Sequence, residues 1–183
     1  MSGPKIIVFA GLPLTGKSTL AKFLEAKLKI ARLDIDEIRQ MLFRHHPLDS
    51  ETNRELDQAQ MRSSCESLYA LAANVLLAGD SVIVAGTFSR EIQHQQIAFV
   101  AENRGATLRI VFCHAPDEVI LERMELRKRD KGNSSNLKSM EGYNRVKARY
   151  VKISAPDILE SDTSRPIEEC LAKIIEFVNQ ASP

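Results

Sequence analysis

The sequence predicts an α/β fold, a three-layer αβα sandwich built on a five-stranded parallel sheet. Three observations carry that reading. Short apolar runs alternate with helical patterns along the 183 residues. The runs are apolar at consecutive positions, as strands buried on both faces require. A glycine-rich turn, GLPLTG, links the first run to the first helical pattern. No internal repeat, low-complexity tract or break in composition divides the chain, so residues 1–183 are expected to form one domain.

Each element can be justified in order. Lys5–Ala10 (KIIVFA) reads as the first strand, and Leu20, Phe23, Leu24 and Leu28 mark one face of the helix after it. Ile30–Leu33 is a short second strand. A helical piece with Ile38, Met41 and Leu42 runs into the breaker HHPLDS. Leu56, Met61, Leu68, Leu71, Val75 and Leu76 then trace a long helix ending at Gly79-Asp80. SVIVAG is the third strand, followed by a helix over Arg90–Arg104 that stops at Gly105. TLRIVFC is the fourth strand, and Pro116 suits the first turn of the next helix. After the polar loop KGNSSN come a helix near Lys138–Lys152, a weak strand DILES, and a closing helix from Pro166 to Gln180. Ligands of such sheets bind beyond the carboxyl ends of the strands, where the loops at Gly11, Asp34, Gly86 and His114 lie.

The first apolar run invites a different explanation, a secretion signal or membrane segment. Gly11, Pro13, Gly16 and Lys17 interrupt it too early, and no small-residue cleavage pattern follows. No other stretch approaches the ~20 apolar residues that span a bilayer. Twenty-five Lys and Arg face 24 Asp and Glu, so the chain as a whole attracts no polyanion. Cys65, Cys113 and Cys170 lie far apart with no C-x-x-C spacing, which argues against a disulfide framework or a zinc site and suits a reducing cytoplasm.

A phosphate explains the run better. Gly11-Leu12-Pro13-Leu14-Thr15-Gly16-Lys17-Ser18 is a complete G-x-x-x-x-G-K-[ST], with a strand before it and a helical pattern after it, and Gly11 to Thr19 are the expected nucleotide-binding residues. A polyphosphate needs inward-facing N–H groups, and glycines permit that turn without a Cβ clash. The following helix adds its unpaired N–H groups and the positive end of its dipole. Lys17 would reach the β- and γ-phosphates, and the Ser18 hydroxyl would ligate Mg²⁺.

Directly after the second strand stands LDIDEIR, with Asp34, Asp36 and Arg39. A carboxylate beside a phosphate loop either holds Mg²⁺ or takes the proton from an attacking hydroxyl, and Arg39 would fix an anionic acceptor. The ordinary alternative is a helix capped by Asp34 or Asp36 with Arg39 in solvent.

Together these residues resemble the small P-loop kinases: shikimate and gluconate kinases, chloramphenicol phosphotransferase and the kinase domain of phage polynucleotide kinase. The resemblance extends over nearly the whole chain by element order and implies an adenylate-kinase-like P-loop NTPase architecture with a small lid. It implies ATP and Mg²⁺ as cofactors. By the shikimate-kinase pattern Asp34 serves the metal and Asp36 faces the acceptor hydroxyl; by the polynucleotide-kinase pattern Asp36 and Arg39 have the acceptor role. One departure stands out. Many P-loop NTPases end the third strand in an acid, and Ala85 occupies that place here.

Residues 123–152 hold ten Lys/Arg against three Asp/Glu, a local charge of +7 in a chain of net +1, leaving −6 elsewhere. Arg123 and Arg127, four apart on a helix, resemble the R-x-x-x-R at the lid of adenylate-kinase-like enzymes. That resemblance implies Arg123 on adenine and Arg127 on the transferring phosphoryl, with a lid over 123–137. The competing readings are a solvated helix face or a nucleic-acid track along Arg145, Arg149 and Lys152; Tyr143 and Tyr150 would then be stacking platforms, although Tyr143, Val146 and Tyr150 at helical spacing more often form a packed stripe. DTSRP lies where related kinases pass a loop beside adenine, or is a helix cap by Thr163 or Ser164.

The remaining signals are weaker. Arg90, just past the third strand, is expected to meet the acceptor or its phosphate. His45, His46, His94 and His114 lack metal-ligand spacing. No D-x-x-G and no N-K-x-D occurs, which counts against a GTPase switch. The expected partners are ATP and a hydroxyl-bearing acceptor, a small molecule first and a nucleic-acid 5′-hydroxyl second; a nucleotide-binding protein without catalysis is the remaining alternative. No membrane association is expected, and oligomeric state is not legible.

Overall fold

The computed structural model describes residues 3–44, 54–129, 139–155 and 157–180. The elements are β1 Lys5–Ala10, α1 Lys17–Leu28, β2 Ala31–Asp34, α2 Ile35–Phe43, α3 Arg54–Leu77, β3 Val82–Ala85, α4 Glu91–Asn103, β4 Thr107–His114, α5 Asp117–Arg129, α6 Met140–Ala148, β5 Ile158–Asp162 and α7 Ile167–Asn179. The five strands form one sheet in the order β2-β3-β1-β4-β5, with every pairing parallel. The predicted α/β architecture is the observed one.

The consecutive apolar strands are explained by the pleat, which sends alternate residues to opposite faces. Ile6, Val8 and Ala10 of β1 and Val82 and Val84 of β3 pack with Leu68, Ala72 and Ile97 from α3 and α4. Ile7, Phe9, Ile83 and Ala85 pack on the other face with Leu20, Leu24, Ile174 and Phe177 from α1 and α7. Full burial of one such side chain contributes roughly 1.5–3 kcal/mol. A third, smaller cluster joins Leu14 of the glycine-rich turn to Ile120 and Met124 of α5 and Tyr143 of α6.

Two expectations need correction. β2 ends on Asp34 rather than Leu33, so this acid belongs to the sheet and its register partner on β3 is Ala85. The helix expected to reach Lys152 stops at Ala148, and Val151 N–H instead donates to Ser89 O at 3.1 Å. Tyr143 is 2% exposed inside the third cluster, as the packed-stripe reading expects, and the Tyr150 hydroxyl is buried. HHPLDS, the histidines within it, and the lid segment 130–137 with KGNSSN lie outside the described residues. Among the described residues no helix is long and apolar enough to cross a membrane.

At the amino end of the sheet Arg109 of β4 is 1% exposed. Its guanidinium is bonded to Asp157 and donates from Nη2 to Gln180 O at 2.7 Å, with its carbon 5.2 Å from the Phe177 ring centroid. This buried cation ties the start of β5 and the end of α7 to the middle of the sheet.

Candidate active site

The turn after β1 is held open for a ligand. Gly11 has φ 146°, and a Cβ there would lie 2.3 Å from Cys113 O, a distance no side chain tolerates. Leu14 (φ 69°) and Gly16 (φ 76°) are also left-handed. A loop of this kind points successive N–H groups into one concavity. Its carbonyls are occupied elsewhere: Leu12 O accepts from Thr15 Oγ1 at 2.7 Å and from Lys17 Nζ at 3.2 Å, and Leu14 O accepts from Arg123 Nη1 at 3.0 Å. Gly16 caps α1 with no side-chain hydrogen bond, leaving the helix's first N–H groups to a ligand. Leu12 and Pro13 are half-buried on the loop, Thr15 is buried beneath it, and Thr19 is exposed on the first turn of α1.

Three charged side chains near this loop act on one another through their charges. Lys17 is buried, and its burial lowers its pKa below the ordinary 10.5 against the opposing pull of Asp36 and Asp34. Burial raises the Asp36 carboxyl above its ordinary 3.8, with Asp34 adding to the rise and Lys17, Arg39 and Arg127 acting against it. Burial likewise lowers Arg127, and Asp36 opposes that shift. Asp36 from α2 thus feels the charges of Lys17 at the loop and Arg127 on α5.

Asp34 plays the part that the ordinary alternative assigned it. Its Oδ1 accepts from Asp36 N–H at 3.0 Å and caps α2. That bond fixes the first turn of α2 and therefore the placement of Asp36. Behind it Arg32, unremarked in the sequence, donates to Glu25 on α1 and Glu37 on α2 at 2.8 Å each, and its Nη1 lies 3.7 Å from Asp34 Oδ2. Arg39 is buried rather than solvated: it is bonded to Asp57, and its Nε and Nη2 donate to Gln60 Oε1 at 3.3 and 3.0 Å. It joins α2 to α3 while its charge still reaches Asp36. Arg90 does not join the group. It is exposed at the start of α4, where its N–H donates to Gln93 Oε1 at 3.1 Å and its charge acts on Cys65.

A family model described as "AAA domain" matches residues 6–153. The chain belongs to that family, whose P-loop kinase-like fold it shares. No curated protein sequence matches it. Among solved structures it is similar to the Mycobacterium tuberculosis APS kinase CysC in complex with AMPPNP and APS, at TM-score 0.71 and 20% identity over 98% of this chain and 100% of that one. A gluconokinase from Sinorhizobium meliloti follows at 0.62 and 17% over 97% and 93%. A shikimate kinase from Aquifex aeolicus matches at 0.55 and 18% over 94% and 95%. These likenesses bear out the predicted kinase-like fold.

Within this P-loop kinase-like domain, the oxygen donors suit a hard cation. Ser18 is half-buried in the first turn of α1, its hydroxyl in no hydrogen bond among the described residues. Asp34 Oδ2 is likewise in no hydrogen bond there, its nearest charge being Arg32 Nη1. Mg²⁺ needs only one or two protein oxygens besides substrate phosphates, so the residues present fit it. The adjacency of Asp34 and Ala85 also puts an acid one strand away from the place where β3 lacks one.

Two features of the site escaped the sequence. Gln60 and Asp57 hold Arg39 from 21 and 18 residues away. Thr163 is no helix cap: Asp162 Oδ1 accepts from Ser164 N–H and Oγ at 3.0 and 2.7 Å, while Thr163 bonds Arg123 and His114. No local pattern distinguishes these residues from solvated ones.

Proposed function

We propose that this domain is an ATP-dependent phosphotransferase that moves the γ-phosphoryl of Mg·ATP to a hydroxyl of a small molecule. The observation that carries the reading is the glycine-rich loop itself, with Gly11, Leu14 and Gly16 at positive φ and Lys17 buried at its end, where the charges of Asp36 and Arg127 act on it. The loop N–H groups and Lys17 hold the β- and γ-phosphates, and Lys17 neutralises charge that grows on the transferring group. Asp36, its carboxyl raised toward neutrality by burial, accepts the proton of the attacking hydroxyl. Arg127 supplies positive charge from the side of α5. Ser18 and Asp34 would hold Mg²⁺, which when bound withdraws charge from the phosphate oxygens. The acceptor would approach Asp36, while Arg39, held in the packed α2–α3 contact, acts on that carboxyl through its charge.

A small acceptor is favoured over a polynucleotide by the fate of the basic stretch. Lys147 pairs with Asp117, Lys152 with Glu160 and Arg145 with Glu141, and both tyrosines are packed inward. The test is transfer of labelled γ-phosphate from Mg·ATP to a pool of small alcohols and a 5′-hydroxyl oligonucleotide, with Asp36→Asn alongside. Label on a small alcohol, lost in the variant, supports the reading. Label on the oligonucleotide would replace the acceptor class, and ATP binding without transfer to any acceptor would favour a binding protein.

A further inference from the structure

Arg123 donates to three oxygens beside the phosphate loop, one from Leu14 and two from Thr163, in contacts beyond the adenine-stacking role its motif implies. Its Nη1 donates both to Leu14 O at 3.0 Å and to Thr163 Oγ1 at 2.9 Å, and its Nη2 donates to Thr163 O at 2.6 Å. Thr163 is 9% exposed and is itself anchored to β4, because its N–H and Oγ1 donate to His114 O at 2.9 and 3.2 Å. The contact abuts the loop: a Cβ on Gly16 would lie 3.4 Å from Arg123 Nη1 and from Thr163 Cβ and Oγ1.

Leu14 is the residue that makes this arrangement matter. It is left-handed although it carries a Cβ, a conformation that L-residues with side chains resist. A carbonyl turned into the concavity would face the phosphate oxygens and repel them. Arg123 gives the Leu14 carbonyl a charged donor on the outside, which favours the strained conformation that keeps N–H groups inward. Arg123 ends a long, flexible side chain, and Thr163 restricts it to this geometry.

We propose that Thr163 is a positioning residue for nucleotide phosphate, acting through Arg123 on the Leu14 carbonyl. The proposal rests on the reading that the loop binds nucleotide. Thr163 lies on the β5–α7 connection, so phosphate binding is coupled to a segment about 150 residues further along the chain.

The test is calorimetric titration of the full chain with ATP and with inorganic tripolyphosphate, which has neither base nor sugar. Thr163→Val keeps the shape and removes the hydroxyl; Thr163→Ser restores it. Thr163→Val is expected to weaken both ligands equally, by about tenfold, the effect of one charge-assisted hydrogen bond. Thr163→Ser should bind as wild type, and Thr163→Val should add nothing in an Arg123→Met background. Weaker ATP with unchanged tripolyphosphate would give Thr163 to the base and overturn the proposal, as would additive effects with Arg123→Met or no effect on either ligand. If melting curves show that Thr163→Val does not fold, Thr163→Ala replaces it in the same cycle. A wild-type chain that binds neither ligand overturns the nucleotide reading and this proposal together, a pattern distinct from any difference among variants.

Discussion

At the amino end of β4 a buried cation is matched: Arg109 is bonded to Asp157 and the Gln180 carbonyl and lies over Phe177, and only its Nε lacks a partner. At the carboxyl end of the same sheet Lys17, Asp36 and Arg127 influence one another, yet among the described residues no ion pair joins them. Burial lowers the Lys17 and Arg127 pKa values and raises that of Asp36, so each is held in a protein environment that disfavours its charge. The first end uses charge to close the structure. The second keeps charges apart and available, at the expense of stability, as sites prepared for a ligand do.

The largest effects should come from the carboxyl end and appear in activity. Lys17→Met is expected to lower phosphoryl transfer roughly 10²–10³-fold, in line with loss of one preorganised charge donor. Asp36→Asn should lower it by about 10²–10⁴, the usual worth of a general base. Rates per folded molecule in a γ-phosphate transfer assay check both, and Asp157→Ala should leave that rate unchanged.

Asp157→Ala tests the amino end, with stability as its readout. It leaves Arg109 buried without its counter-charge and, with Asp157 itself 37% exposed, should destabilise the fold by about 1–2 kcal/mol. Urea unfolding followed by circular dichroism measures the loss. A change under ~0.5 kcal/mol, the range of ordinary surface substitutions, would erase the contrast between the two ends.

A subtler contrast is the sign of the charge effect on stability. The folded pKa of Asp36 lies above its ordinary 3.8, so the native state binds this proton more tightly than the unfolded chain. Its stabilising contribution is present below pH 3.8 and is lost as pH rises through the raised value. Asp36→Asn should therefore melt higher than wild type at neutral pH, an advantage that disappears in acid. A lower melting temperature at pH 7 would mean that Asp36 is matched after all.

The smallest shift is in the pH–rate profile. Transfer should rise with pH along an acid limb displaced above the ordinary carboxylate range, because Asp36 works when ionised. An alkaline limb below the ordinary lysine range is expected from Lys17. Asp36→Asn should remove the acid limb and leave the alkaline one.

Much of this molecule is legible without coordinates. KIIVFA declares a strand buried on both faces, GLPLTGKS declares a phosphate loop, and Gly79 and Gly105 stop the helices expected to end there. These features are local: periodicity, turn chemistry and motif spacing act over a few residues, so the residue string contains them. The sequence alone determined the sheet's class and the nucleotide end of the site.

Tertiary structure alone decided the pairings. Arg39 went to Asp57 and Gln60 instead of solvent, Arg123 to Leu14 and Thr163, and Arg109 to Gln180, 71 residues away. Asp34 came to stand beside Ala85 through strand register. The reason is physical. A charged or hydroxylated side chain has many partners within reach in an unfolded chain, and only the packed sheet and helices leave it one.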